Sequence, residues 1–130
     1  MAGPVEITRR RKAQTYEIDF AGVMSNQVYF RWLEDLRTDL ISEYVDLRDL
    51  IKMGSVPVLA HTEIDYKWPV RLLEEVECRM WVEEMSSMKW AVEAEFKVND
   101  KVCTRSKQWG VFVDSRTMRP VLAPDVFFKK

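Results

Sequence analysis

From Val28 to Val45 the apolar positions Tyr29, Leu33, Leu36, Leu40 and Tyr44 recur at steps of four and three, with Arg31, Glu34, Asp35, Thr38, Asp39 and Glu43 between them. That is the period of a long helix with one buried side. A further helical turn or two is expected over Leu47 to Met53, before Gly54 and Pro57 stop it. Beyond them the period falls to 2, which marks strands. Val58 to Trp68 sets Ile64, Tyr66 and Trp68 against Glu63 and Asp65, ending at Pro69. Val76, Cys78, Met80 and Val82 then alternate with Glu77, Arg79, Trp81 and Glu83. Ser86 and Ser87 form a turn, after which Trp90, Val92, Ala94, Phe96 and Val98 share one face. Asn99 and Asp100 predict a tight hairpin into a last strand, Lys101 to Val113, where Gly110 beside Trp109 suggests a bulge or a close approach. Upstream, Val5 to Asp19 reads as a long or irregular first strand with Tyr16 and Ile18 on one face and Glu17 and Asp19 on the other.

One helix followed by successive strands with short turns predicts an antiparallel sheet curled around that helix, not alternating parallel units. Trp32 and Trp81 are candidates for the opposite surface or for a subunit contact. Residues 1–130 contain no linker, repeat or low-complexity tract, so a single domain is expected. At this length a half-covered helix or an open sheet is often completed by a second copy.

Composition narrows the function classes. Lys and Arg number 20 against 21 Asp and Glu, a formal charge of -1, which does not suit a general nucleic-acid binder. The one basic run, Arg9 to Lys12, reads as the solvated start of a strand, although it could meet phosphates on a smaller ligand. Cys78 and Cys103 lie far apart on strand-like segments, so reduced, partly buried thiols are expected in place of a disulfide framework. A single histidine, His61, and no ligand-spaced Cys pair argue against a metal site, and His61 is expected to be structural. No apolar run approaches the roughly 20 residues of a membrane helix. A soluble, cytoplasmic protein is the simplest expectation.

The chemistry lies just ahead of the long helix. Asp19 precedes Gly22 and Asn26, which suits a helix cap, whereas Asp19 lies seven residues too early to be one. A carboxylate is therefore held beside a helix start, where free N–H groups can stabilise developing negative charge. Ser25 lacks the glycine-rich elbow of a nucleophilic serine.

The segment YEIDFAGVMSNQVYFRWLEDLR closely resembles the signature of hotdog-fold acyl-CoA thioesterases, the group that contains the 4-hydroxybenzoyl-CoA and YbgC-like thioesterases. Asp19, Gly22, Asn26 and Tyr29 stand at matching positions, and EIDYKWPVRLLEEVECRMWV and VFVDSRTMRPVLAP resemble the family's strand crossing at Tyr66 and Pro69 and its closing segment. The resemblance implies an α+β hotdog fold, a five-stranded antiparallel sheet wrapped around a long central helix, paired as a homodimer and often assembled to a homotetramer, with acyl-thioester sites between subunits. It implies Asp19 as the catalytic carboxylate, Gly22 as its loop neighbour and Asn26 as the helix-start residue near the acyl group. Where many relatives have His-Val-Asn-Asn, this chain has Val23, Met24, Ser25 and Asn26, so no histidine serves there.

On that basis the expected reaction is hydrolysis of an acyl-CoA, with Asp19 as nucleophile or general base and the N–H groups of Asn26 to Val28 as an oxyanion hole. No cofactor is needed, since coenzyme A is part of the substrate. Tyr29, Trp32 and Tyr66 are candidates for an apolar acyl pocket, and Lys67, Arg71, Arg105 and Lys107 for the nucleotide phosphates. An acyl-carrier-protein thioesterase and a non-catalytic acyl-thioester-binding module are the alternatives. A hotdog dehydratase fits less well because no carboxylate-histidine pair is evident.

Overall fold

The computed structural model describes residues 5–128. Strand β1 (Glu6–Lys12) is followed by a 3-10 turn (Thr15–Glu17), helix α1 (Asn26–Ser42), helix α2 (Leu47–Met53) and strands β2 (Ser55–Tyr66), β3 (Glu75–Met85), β4 (Lys89–Val98) and β5 (Lys101–Asp114), with a 3-10 turn at Asp125–Phe128. The strands form one antiparallel sheet in the order β1-β3-β4-β5-β2. The expected hotdog architecture, a five-stranded sheet around a central helix, is what the chain adopts.

Helix α1 buries Val28, Tyr29, Trp32, Leu33, Leu36 and Leu40. They meet the inward residues of the sheet, among them Val76, Cys78 and Met80 of β3 and Val92, Ala94 and Phe96 of β4. Each large side chain removed from water here contributes about 1.5–3 kcal/mol. Trp32 is 2% exposed and belongs to this core, not to an outer surface. The sheet wraps both flanks of the helix, so the buried stripe is wider than the Tyr29–Leu33–Leu36–Leu40 line. Trp81 does stand on the outer face, half-buried beneath the Arg79 guanidinium at 4.6 Å.

Several boundaries differ from expectation for identifiable reasons. The first strand stops at Lys12 because Glu17 folds back: its backbone N–H donates to Gln14 O at 2.9 Å and its Oε1 accepts from Gln14 N at 2.9 Å. The alternation therefore inverts, with Tyr16 exposed and Glu17 buried. Helix α1 begins at Asn26 and ends at Ser42, and its cap is Ser25, whose Oγ accepts from Gln27 N at 3.4 Å. Strand β2 begins three residues before Val58 and contains Pro57, which an edge strand tolerates. The β4–β5 hairpin turns at Asn99 and Asp100, both with positive φ (50° and 65°), as a two-residue primed turn requires.

Gly110 has the close approach its position suggested. A Cβ there would lie 1.8 Å from Val58 O and 2.7 Å from the Trp90 ring, while β2 bulges opposite it between Leu59 and His61. His61 stacks on Trp109 at 3.9 Å. Both cysteines are free and buried. The basic run anchors the other sheet edge to the helix: Arg9 pairs with Asp39 at 3.0 Å and Arg11 with Asp35 at 2.8 Å. These half-exposed pairs each contribute about 0–1 kcal/mol and take two of the four cations away from any phosphate role. Among the described residues no helix is long and apolar enough to cross a membrane.

Candidate active site

The Asp19 loop is built from local hydrogen bonds. Ile18 bridges Met24, Asp19 N donates to Val23 O at 2.8 Å, and Gly22 N donates to Asp19 O at 3.0 Å. Gly22 closes the turn with φ 82°; nothing within 4 Å crowds a Cβ there, so backbone conformation and not space selects glycine. Asp19 Oδ1 accepts from Ala21 N at 2.8 Å and Val23 N at 3.5 Å. These bonds hold the carboxylate through Oδ1, and Oδ2 has no hydrogen-bond partner among the described residues. Asp19 is half-buried and takes part in no ion pair among the described residues.

The same loop delivers the chain into α1. Met24 N donates to Val70 O at 2.7 Å and Ser25 N to Glu17 O at 2.8 Å, holding the helix start from two sides. Asp19 lies opposite Val23 in this small hairpin, and the helix starts three residues further along the same strand, at Asn26. Of the three amides expected to form an oxyanion hole, Val28 N is taken by Ser25 O at 3.0 Å. Gln27 N makes only the long bond to Ser25 Oγ. Asn26 N has no acceptor among the described residues. The least engaged donors are thus Asn26, with no acceptor among the described residues, and Gln27, held only by the long cap bond, at the positive end of a 17-residue helix.

Glu17 was not singled out from the sequence, yet it supports the site. Its carboxylate is 8% exposed, and Oε2 accepts from Trp32 Nε1 at 3.3 Å while Oε1 holds Gln14 N. One side chain therefore ties the loop before Asp19 to the second turn of α1. Tyr29, Trp32 and Tyr66 do come together, with ring centroids 6.4 Å (Tyr29–Trp32) and 5.4 Å (Tyr29–Tyr66) apart. Tyr29 and Trp32 are each 2% exposed, so they form a packed wall, and Tyr66 is the member that reaches the surface. Burial pushes the Tyr29 phenol up to about 12, which removes it as a proton donor or acceptor near neutrality.

The four cations separate. Arg71 bridges Val23 and so stands beside the Asp19 loop. Lys67 is exposed at the end of β2. Arg105 and Lys107 lie on the outer face of β5, opposite in phase to buried Thr104, Ser106 and Gln108, and pair with Glu95 at 2.7 Å and Glu83 at 3.6 Å. Sequence alone missed a further cation near Arg71. An open groove of about 360 Å³ runs from Arg71 past Trp68 to Lys101, whose Nζ sits 3.3 Å over the Trp68 ring. Exposed apolar side chains surround this end of the molecule: Phe20, Phe30, Leu72 and Leu73 are all at least 45% exposed.

A separate cavity lies toward the other end of α1. Arg37 Nη1 donates to Gln108 Oε1 at 2.7 Å, and Gln108 Nε2 donates to Thr62 Oγ1 at 3.0 Å. Arg37 also lines an otherwise apolar space of about 130 Å³. Among the described residues no group of three or more His, Cys, Asp or Glu is arranged to hold a metal ion.

Comparison with known proteins adds the following. The profile of the thioesterase-like superfamily matches residues 13–130. A protein of Aquifex aeolicus (strain VF5) named "Putative esterase" is 32% identical over 81 residues, 59% of this chain and 61% of its own length. The chain thus matches about three-fifths of that curated relative. Among solved structures, a DHNA-CoA thioesterase from Staphylococcus aureus superposes with a TM-score of 0.84 at 23% identity, covering 95% of this chain and 83% of that one. A 1,4-dihydroxy-2-naphthoyl-CoA thioesterase from Synechocystis gives 0.83 at 17%, covering 95% and 93%. A Staphylococcus aureus protein solved in complex with CoA gives 0.87 at 12%, covering 97% and 80%.

Proposed function

Since the chain belongs to the thioesterase-like superfamily, we propose that it hydrolyses an acyl thioester carried on coenzyme A, with Asp19 as the catalytic carboxylate. The observation that carries this reading is that one short loop holds the Asp19 carboxylate by Oδ1 alone and leads directly into the start of α1, where Asn26 N has no acceptor among the described residues. Thioester cleavage needs an attack on the carbonyl carbon and a place for the charge that collects on its oxygen. It needs no strong acid, because a thiol near pKa 8.5 leaves as thiolate. The missing histidine is therefore compatible with turnover.

Two routes use the same geometry. In one, Asp19 Oδ2 attacks the carbonyl carbon, the C–S bond breaks to release CoA thiolate, and water then hydrolyses the acyl-aspartyl anhydride. In the other, Asp19 takes a proton from a water that attacks directly. In both, the Asn26 and Gln27 amides stabilise the oxyanion, with Gly22 setting the loop. Single-turnover hydrolysis in ¹⁸O-water separates them, since the anhydride route places label in the Asp19 carboxylate when water attacks at that carbonyl. Asp19→Asn should lower kcat at least about a hundredfold, the scale of losing a central acid-base or nucleophilic group. A folded variant that releases thiol from an acyl-CoA panel at a near-normal rate would remove Asp19 from the mechanism.

Coenzyme A is preferred over a carrier protein as the thiol because Arg71, Lys101 and the Trp68 ring stand in one groove beside the Asp19 loop, suited to phosphates and a base. Thiol release from acyl-carrier protein but not from acyl-CoA would reverse that assignment. The proposal also includes a homodimer, joined through β2, itself able to pair into a tetramer. β2 is a 12-residue edge strand, and such an exposed template is normally paired or blunted. Light scattering behind size exclusion should read at least twice the chain mass, and a monomer at micromolar concentration would overturn it.

A further inference from the structure

Arg37 sits where the helix is apolar. It lies four residues after Leu33 and three before Leu40, both buried. Its hydrogen-bonding partner is neutral: Gln108, 1% exposed, accepts at 2.7 Å and is itself held by Thr62. Among the described residues no carboxylate lies within ion-pair distance of it, while the neighbouring helix acids are already used, Asp35 by Arg11 and Asp39 by Arg9. Glu34 supports the charge only from the solvent side of the helix, and burial holds the guanidinium below its ordinary pKa.

A guanidinium does not shed its charge in a protein, so a cation facing apolar walls with no carboxylate in ion-pair contact among the described residues is an unfinished interaction. The space it faces is built for hydrocarbon. Leu40, Val82, Trp90, Phe112 and Phe127 line it, and Arg37 is the one charged residue among its walls. Its volume of about 130 Å³ is close to that of apolar cavities known to take a benzene ring, about 150 Å³.

We propose that this cavity binds a small aromatic carboxylate of benzoate size, its ring between the aromatic walls and its carboxylate on the Arg37 guanidinium. The fork geometry of arginine matches a carboxylate, and Gln108 holds the guanidinium in place through one nitrogen while leaving others free. The site is distinct from the proposed hydrolytic one: Arg37 follows Asn26 by eleven residues, about 16 Å along the axis of α1. It does not depend on the hydrolase reading.

The test is binding of benzoate and of benzyl alcohol, its neutral counterpart, to the full chain by calorimetry, with the indole N–H resonances followed by NMR. Benzoate should bind with a Kd on the order of 1 mM or tighter, at least about tenfold tighter than benzyl alcohol, and shift the Trp90 resonance. Arg37→Met should abolish the preference while keeping the alcohol, Arg37→Lys should retain part of it, and Asp19→Asn should bind as the parent does. Equal affinity for acid and alcohol in the parent protein overturns the proposal whether or not Arg37→Met folds. So does a preference that survives in Arg37→Met, or benzoate binding that leaves Trp90 unmoved.

Discussion

Asn26→Pro removes one hydrogen atom of interest and little else. Asn26 is the first helical residue of α1, directly after the Ser25 cap, and its backbone N–H has no acceptor among the described residues. Proline is well suited to that position because the missing N–H is one the helix does not use. The residue before a proline must be extended, and Ser25 already is, with φ -62° and ψ 140°. The Asn26 side chain is exposed and its loss costs little. Stability should therefore stay within about 1 kcal/mol of the parent, with a small gain if the unfolded chain loses entropy. Catalysis should not. Loss of one oxyanion donor lowers kcat about 10²- to 10³-fold, equivalent to about 3–4 kcal/mol of transition-state stabilisation. The control is Asn26→Ala, which keeps the amide and should retain activity within a few-fold. The assay is steady-state thiol release from an acyl-CoA together with urea denaturation of all three proteins. If Asn26→Pro folds normally and turns over within about threefold of Asn26→Ala, the helix-start amide is not the oxyanion donor.

Glu17→Ala leaves the buried Trp32 indole N–H without its acceptor, and an unsatisfied buried donor costs about 1–3 kcal/mol; adding Trp32→Phe should recover part of that loss in a double-mutant cycle, and additive effects would refute the link. Burial pushes the Cys78 thiol up to about 12, so about one in ten thousand is thiolate at pH 8 and disulfide reagents should label it only after denaturation; rapid labelling of the native chain would contradict its burial. The same shift has a sign for stability: between the unfolded thiol value near 8.5 and the folded value, the unfolded chain binds fewer protons. The contribution of Cys78 is thus present below about pH 8.5 and is lost as pH rises toward 12, a slope that Cys78→Ala should flatten in urea titrations.

The fold was legible wherever the period of the sequence reports burial directly. The 3.6-residue stripe of α1 and the alternations of β3 and β4 required no long-range information, and Asn99-Asp100 announced its own turn. The misreadings share a cause, partners that lie far along the chain. Glu17 looked solvent-facing because the donor that lets it be buried, Trp32 Nε1, belongs to a helix 15 residues later. The second helix does stop at Met53 as expected, but β2 looked as if it began at Val58 because only the strand order shows that it is an edge, where Pro57 is tolerated. Trp32 looked peripheral because the width of a buried stripe depends on how far the sheet wraps.

The local geometry of the candidate site was legible in a narrower sense. Asp19 and Gly22 could be placed because their hydrogen bonds are within five residues of one another, so sequence spacing carries the geometry. The amides were not resolved one from another, since moving the cap from Asn26 to Ser25 decides which N–H groups are consumed and which remain: of the expected Asn26 to Val28 set, Val28 N is taken by Ser25 O. The positions of the phosphate candidates on β5 are contained in the alternation: with Thr104, Ser106 and Gln108 inside, Arg105 and Lys107 lie outside, among the acids they pair with. Arg37 shows the complementary signal. A cation at a position that the helix period assigns to the core requires an anion, a neutral brace or a ligand. Here the brace is Gln108, and no carboxylate among the described residues lies within ion-pair distance of the guanidinium.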